Sequence, residues 1–112
     1  MKLIISAQNS SLESQVDSRF GRSPWLLLFD TETSQWEAFQ NPGVTQSGGA
    51  GVAAAQFVVD QDADVVISGD FGPNASRAFQ ASKTEMRLFI ESITTVQEAV
   101  DQYKNDQLPK FK

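Results

Sequence analysis

Residues 25–40 read WLLLFDTETSQWEAFQ. Trp25 to Asp30 is apolar on both parities, the pattern of a central strand covered on both faces. Trp36 to Gln40 mixes apolar and polar residues, as a strand nearer an edge does. The intervening TETSQ is short enough to predict a hairpin, so these two strands run antiparallel. Working outward, KLIIS (Lys2 to Ser6) is a short β-branched run that reads as a buried first strand. After the hairpin, GGAGVAAAQFVVDQD predicts a helix starting near Gly49, capped by Ser47 or a glycine, with Val52, Ala55, Phe57 and Val59 on its apolar face. Ala63 to Gly69 and Met86 to Ile90 read as further strands. A second helix opens at Pro73, with Ala75, Ala78 and Phe79 on one face. The last helix carries a capping box from Thr95 to Glu98, followed by Val96, Ala99, Val100 and Tyr103 at helical spacing.

The predicted order is therefore β-β-β-α-β-α-β-α, an α/β fold with a mixed five-stranded sheet and helices on its faces. Right-handed crossovers make strands one, four and five parallel. Four connections then fall at one end of the sheet: Ala7 to Pro24, Asn41 to Ala50, Gly69 to Asn74, and the turn near Glu91 to Thr94. Open α/β sheets bind ligands at that end.

At 112 residues the chain fits one domain, 1–112, of ordinary soluble composition, with 40% hydrophobic and 21% charged residues. A formal charge of −5 argues against nucleic acid and acidic membranes as partners, because both recruit basic surfaces. It leaves room for a small anion in a local basic pocket. The chain has no Cys and no His, which removes disulfides, thiolate catalysis, thiolate clusters and the commonest general base. The apolar run at the start is too short for a signal peptide, and no stretch approaches a membrane span. A cytoplasmic location is expected.

Against this acidic background, DSRFGRSPW (17–25) places Arg19 and Arg22 on either side of Phe20-Gly21. Before Arg77 the only other cation is Lys2. Gly49 to Ala54 matches the G-x-G-x-x-A form of the dinucleotide fingerprint, but it follows a long loop and the third strand. A nucleotide-binding module would rest on that match alone. The plainer reading is a helix start eased by glycine, with exposed amides that attract an anion. SGDFGPN (68–74) is a second glycine-bearing turn into a helix. Its glycines either permit positive φ or present amides to the same rim. Asp60, Asp62 and Asp64 read as a solvated connection, the serines have no histidine to activate them, and no P-loop lysine is present. No catalysis is expected.

The stretches LESQVDSRFGRSPW, NPG…SGGAGVAAAQ and VVISGDFGPNASRAF resemble, in order and spacing, the dinitrogenase iron–molybdenum cofactor biosynthesis family. The likeness extends from Lys2 to Leu108, and the tail TTVQEAVDQYKNDQL is similar to the family's last helix. The resemblance implies a ribonuclease H-like fold and non-catalytic carriage of an anionic molybdenum-containing metal–sulfide cluster, of the Mo–Cu or Fe–Mo type. It is closer to the family's orange-protein branch, which holds its Mo–Cu sulfide cluster without covalent ligation. Many members carry His at the position of Arg19, and some carry Cys at that of Ser23, so ligation by those side chains does not transfer. The positions that do are Phe20, Gly21 and Arg22, then Gly48, Gly49, Ala50 and Gly51, then Gly72, Pro73 and Asn74. Arg19 joins them as a cation, and Phe71, with Phe20 and Trp25, as an apolar screen; for Trp25 the core-packing alternative is favoured. Guanidinium forks and backbone amides suit weakly basic sulfides. The alternative is an adaptor or regulatory partner of a P-loop ATPase of the chromosome-partitioning type, with no cluster bound.

Overall fold

The hairpin forms in the expected register, with Trp25 opposite Gln40 and Phe29 opposite Trp36. The computed structural model describes residues 1–89 and 94–111. In chain order the elements are β1 (Lys2–Ala7), β2 (Trp25–Asp30), β3 (Trp36–Gln40), a 3-10 helix (Pro42–Thr45), α1 (Ala50–Asp60), β4 (Val65–Ser68), α2 (Pro73–Ser82), β5 (Glu85–Leu88) and α3 (Val96–Lys104). The sheet order is β3-β2-β1-β4-β5. β1 pairs antiparallel with β2 and parallel with β4, which pairs parallel with β5. The order of strands and α-helices agrees with the expectation; the 3-10 helix is an addition. The fifth strand starts one residue earlier than predicted. Ile90, and the 91–93 part of the expected fourth rim turn, lie outside the described residues.

Both parities of the inner strands are apolar because helices cover both faces. Leu3, Ile5, Leu27, Val65 and Ile67 pack toward Val96, Ala99 and Val100 of α3. Ile4, Leu26, Val66 and Met86 pack toward Ala54, Ala55 and Val58 of α1 and Ala75 and Phe79 of α2. The face predicted for α1 needs correction. Val52 is 50% exposed, and the buried stripe is Ala50, Ala54, Ala55 and Val58. Alanines face inward because their small side chains let the helix lie close to the sheet and to α2. The larger Phe57 sits at the border, edge-on to Phe39 of β3 with ring centroids 5.1 Å apart.

The capping box of α3 is present in full. Thr95 Oγ1 accepts from the Glu98 amide at 3.2 Å, and Glu98 Oε1 accepts from the Thr95 amide at 3.3 Å. Thr95→Ala is expected to cost about 1 kcal/mol, the usual value of an N-cap hydroxyl. Urea unfolding would measure this, and Thr95→Ser should restore most of the loss.

Candidate functional site

The strand registers gather one end of the sheet. Ala7 ends β1 opposite Trp25, which begins β2, and Trp25 pairs with Gln40 at the end of β3. Ser68 ends β4 beside Leu88 of β5. The segments 8–24, 41–49 and 69–72 leave from this end, so three of the expected rim connections do converge.

Beneath them lies a buried polar floor. Ser6 Oγ donates to the Asp17 carbonyl at 2.6 Å and lies 2.7 Å from Ser68 Oγ. The Asp17 amide returns a bond to the Ser6 carbonyl at 2.9 Å. The entry of the loop is thus tied to the ends of β1 and β4. Gly69 makes room for it: a Cβ there would come 2.6 Å from Ser18 Cα.

From this anchor the chain drives Phe20 inward. Phe20 is 2% exposed and packs against Phe71 and Phe79, with centroids 5.4 Å away in each case. Phe71 is 4% exposed and also meets Phe111 at 5.2 Å. Neither ring screens the rim; both are core, which corrects the reading of Phe20 and Phe71 as rim residues. They turn inward because a phenyl gains more by leaving water than by lining an open edge. Trp25 is half-buried and packs toward the α3 side of the sheet, as the core alternative had it.

The second loop is bound to the first by Asn41, buried at 3% exposure. Its Nδ2 donates to the Phe20 carbonyl at 2.9 Å and to Ser23 Oγ at 3.1 Å, while its Oδ1 accepts from the Gly43 amide at 2.9 Å. Ser23 is fully buried in this network, with no part facing the rim. Gly21 lies directly on the start of α1, where a Cβ would come 3.0 Å from the Gly51 amide nitrogen. A Cβ on Gly51 would in turn sit 3.8 Å from Ala75 Cβ of α2. The loop and the first turns of α1 and α2 therefore form one contiguous group.

Those two helix starts differ from α3. Gly49 caps α1 and Gly72 caps α2, neither with a side-chain hydrogen bond, and neither first turn holds an acidic residue. Ser47 does not serve as the cap. Among the described residues no side chain accepts from the leading amides of either helix, Pro73 supplies no N–H at its position, and no carboxylate within the first turns offsets the positive ends of the dipoles. Gly49 alone among the glycines has positive φ, at 73°. Gly69 and Gly72 do not, so that explanation for the second glycine turn fails. Nothing lies within 4 Å of where a Cβ would stand at Gly48, Gly49 or Gly72. Packing requires glycine at positions 21, 43 and 69, and backbone angle requires it at 49. Neither requires it at 48 or 72.

Arg19, Arg22 and Arg77 are at the surface, each with a partner. Arg19, whose side chain is 65% exposed, forks onto Asp17: Nε to Oδ1 at 3.1 Å and Nη2 to Oδ2 at 3.0 Å. The hydrogen bonds that Arg19 donates to Asp17, and then the charge of that carboxylate, raise the Arg19 pKa above the ordinary value. Arg19 is therefore one half of an ion pair rather than a free cation. Arg22 Nη1 donates to the Gln46 carbonyl at 2.8 Å, bridging the two loops. Arg77 folds back along the first turn of α2, to the Pro73 carbonyl at 3.3 Å and Asn74 Oδ1 at 3.1 Å. Pro73 and Asn74 are exposed at the head of that helix.

At the same end, a hollow of ≈ 290 Å³ opens between Pro24, Trp25, Gln40, Asn41, Val44 and Thr45. Among the described residues no group of three or more His, Cys, Asp or Glu is placed to hold a metal ion. Nor, among the described residues, is any helix long and apolar enough to cross a membrane. The dinucleotide fingerprint lacks its strand–turn–helix setting, since the 3-10 helix and residues 46–49 intervene between β3 and α1. Asp17, Asn41 and Gly43 build the site but were not singled out from sequence. Asp-x-Arg in a loop is an available signal for the first, and Asn-Pro-Gly for the other two, because Asn and Asp side chains close turns on the backbone two residues ahead.

The family model for the dinitrogenase iron-molybdenum cofactor matches residues 1–106. The apo form of the orange protein (ORP) from Desulfovibrio gigas is similar in structure, with a TM-score of 0.91 and 32% identity over 98% of this chain and 92% of that one. An NMR structure of a NifB-like protein of the DUF35 family from Thermotoga aligns with a TM-score of 0.83 and 26% identity, over 97% and 91% of the two chains. No curated protein matches the sequence at a significant level.

Proposed function

The chain belongs to the dinitrogenase iron-molybdenum cofactor family, and from that premise we propose that it binds and carries, without catalysis, an anionic molybdenum-containing metal–sulfide cluster of the Mo–Cu or Fe–Mo type. The cluster is cargo, held non-covalently at the loop-rich end of the sheet. One observation carries the reading: two adjacent helices start with glycine caps that have no side-chain hydrogen bond, the Cβ positions of Gly48, Gly49 and Gly72 are open, and the loop that holds Arg19 and Arg22 lies against the first of those helix starts through Gly21. The donor set fits such a guest. It offers N–H groups and guanidinium forks to sulfide, and no thiol or imidazole to displace it from the metal.

The experiment is titration with tetrathiomolybdate and copper, followed by gel filtration. The wild type should retain a stoichiometric visible chromophore. The double variant Arg19→Ala/Arg22→Ala should bind at least about ten-fold more weakly, since each lost charge-assisted hydrogen bond is worth roughly 1.5–3 kcal/mol before solvent screening at this exposed rim reduces it. Gly48→Ala separates site from fold. Its methyl enters open space, so stability should hold or rise by up to about 1 kcal/mol, while cargo affinity falls. Retention of the chromophore by both variants would refute this placement of the cargo.

A second reading has one observation in its favour. Val44 in the 3-10 helix and Val52 in the first turn of α1 are 48% and 50% exposed, apolar side chains suited to a protein partner. An adaptor for a P-loop ATPase of the chromosome-partitioning type would bind its partner in a pull-down with metal-free protein and lose it on Val44→Lys/Val52→Lys.

A further inference from the structure

Asp17 is 3% exposed, and among the described residues its carboxylate accepts hydrogen bonds from Arg19 alone. Oδ1 accepts from the Arg19 amide at 2.8 Å and from Nε at 3.1 Å, and Oδ2 accepts from Nη2 at 3.0 Å. Burying a carboxylate is unfavourable unless its hydrogen bonds are made. A turn by itself needs only the Oδ1 bond to the amide. The two side-chain bonds are surplus to it, and they fix a guanidinium on an otherwise solvated arm.

The support continues downward. The backbone of Asp17 is bonded on both sides to Ser6, through its amide and its carbonyl, and Ser6 Oγ touches Ser68 Oγ at the end of β4. The Arg19 carbonyl accepts from the Ser23 amide at 2.8 Å, which closes the loop behind it. A short chain of bonds thus leads from the sheet to the guanidinium. Arg22 and Arg77 have no such foundation, since each is held by exposed partners.

We propose that Asp17 is a positioning residue: it fixes the Arg19 guanidinium at the rim, so that the anionic cargo meets donors already in place. Two of the five guanidinium N–H donors face Asp17, which leaves the outer edge of the fork for sulfide. This rests on the cluster-binding reading. Ordering a rotamer-rich side chain in advance spares that cost on binding and is worth about three- to ten-fold in affinity.

Asp17→Asn is the informative variant, because its remaining Oδ1 keeps the turn bond to the Arg19 amide while the charge and the second acceptor are lost. In ligand-free protein at low temperature, the Arg19 Nη2–H protons should give a resolved, slowly exchanging NMR signal that Asp17→Asn abolishes, because their acceptor Oδ2 is replaced by an amide nitrogen. With tetrathiomolybdate and copper as probe, Asp17→Asn should bind about three- to ten-fold more weakly than wild type. It should have no further effect in an Arg19→Ala background. Penalties that add across the cycle, binding by Asp17→Asn equal to or tighter than wild type, or an Nη2–H signal indifferent to the substitution would each overturn the proposal. If wild type itself fails to bind the probe, the cluster reading falls, and the NMR comparison still decides whether Asp17 holds Arg19.

Discussion

Phe20→Ala is expected to lower the unfolding free energy by about 3–5 kcal/mol, the range for emptying a fully packed phenylalanine site. In a chain of this length that corresponds to roughly 12–20 °C in Tm. The ring is 2% exposed and touches Phe71 and Phe79, which themselves meet at 6.0 Å, so its removal leaves a cavity bounded by two aromatic rings. Those rings belong to the turn into α2 and to α2 itself. Neither can collapse onto the void without moving the helix, so relaxation recovers little. The consequence for the site is indirect. Phe20 lies between Arg19 and Arg22, and its carbonyl accepts from Asn41. Without its plug the loop loses the contact that sets the depth of both arginines. Phe20→Leu should retain most of the stability. A loss below about 1 kcal/mol for Phe20→Ala in urea unfolding would return the ring to the rim, contrary to its packing here.

The sheet was legible because apolar runs bounded by turn residues define strands, and a five-residue connection (Thr31 to Gln35) leaves little choice but a hairpin. From that hairpin and the handedness of crossovers, the convergence of the loops followed. What sequence could not assign was direction within a loop. Arg19 and Phe20 are neighbours, yet one is at the surface and the other is core, and no period of 2 or 3.6 applies to such a segment. The face of α1 was misjudged for a related reason. Five of its first six residues are alanine or glycine and carry no amphipathic signal, so the valines dominated the reading although Val52 points outward. Asn41 was invisible because its role depends on Phe20, Ser23 and Gly43, which come together only in three dimensions. The glycines looked alike in sequence. The space around each is what sorts them into close approaches, one left-handed cap, and positions left open.

Gly43→Ala tests that sorting most severely. A Cβ at position 43 would stand 2.7 Å from the Ala50 carbonyl oxygen and closer still to the carbonyl oxygen of Gly21. Both obstacles are backbone, one at the head of α1 and one in the arginine loop, so no side-chain rotation relieves them. The Gly43 amide is also committed to Asn41 Oδ1, which prevents the 3-10 helix from sliding aside. The methyl must therefore push three backbones apart, and the cost should lie at or above the upper end of overpacking, about 3 kcal/mol. Gly21→Ala, with its nearest obstacle 3.0 Å away, should cost less, and Gly48→Ala nothing. Thermal unfolding of the three variants should give that order, and equal melting temperatures for Gly43→Ala and Gly48→Ala would mean that the backbones do not approach as described. The same wedge bears on function. The contact of Gly43 with Gly21 and Ala50 is what sets the arginine loop against the glycine-capped start of α1. Gly43→Ala protein that still folds should therefore bind tetrathiomolybdate and copper more weakly, although residue 43 is buried and reaches no cargo.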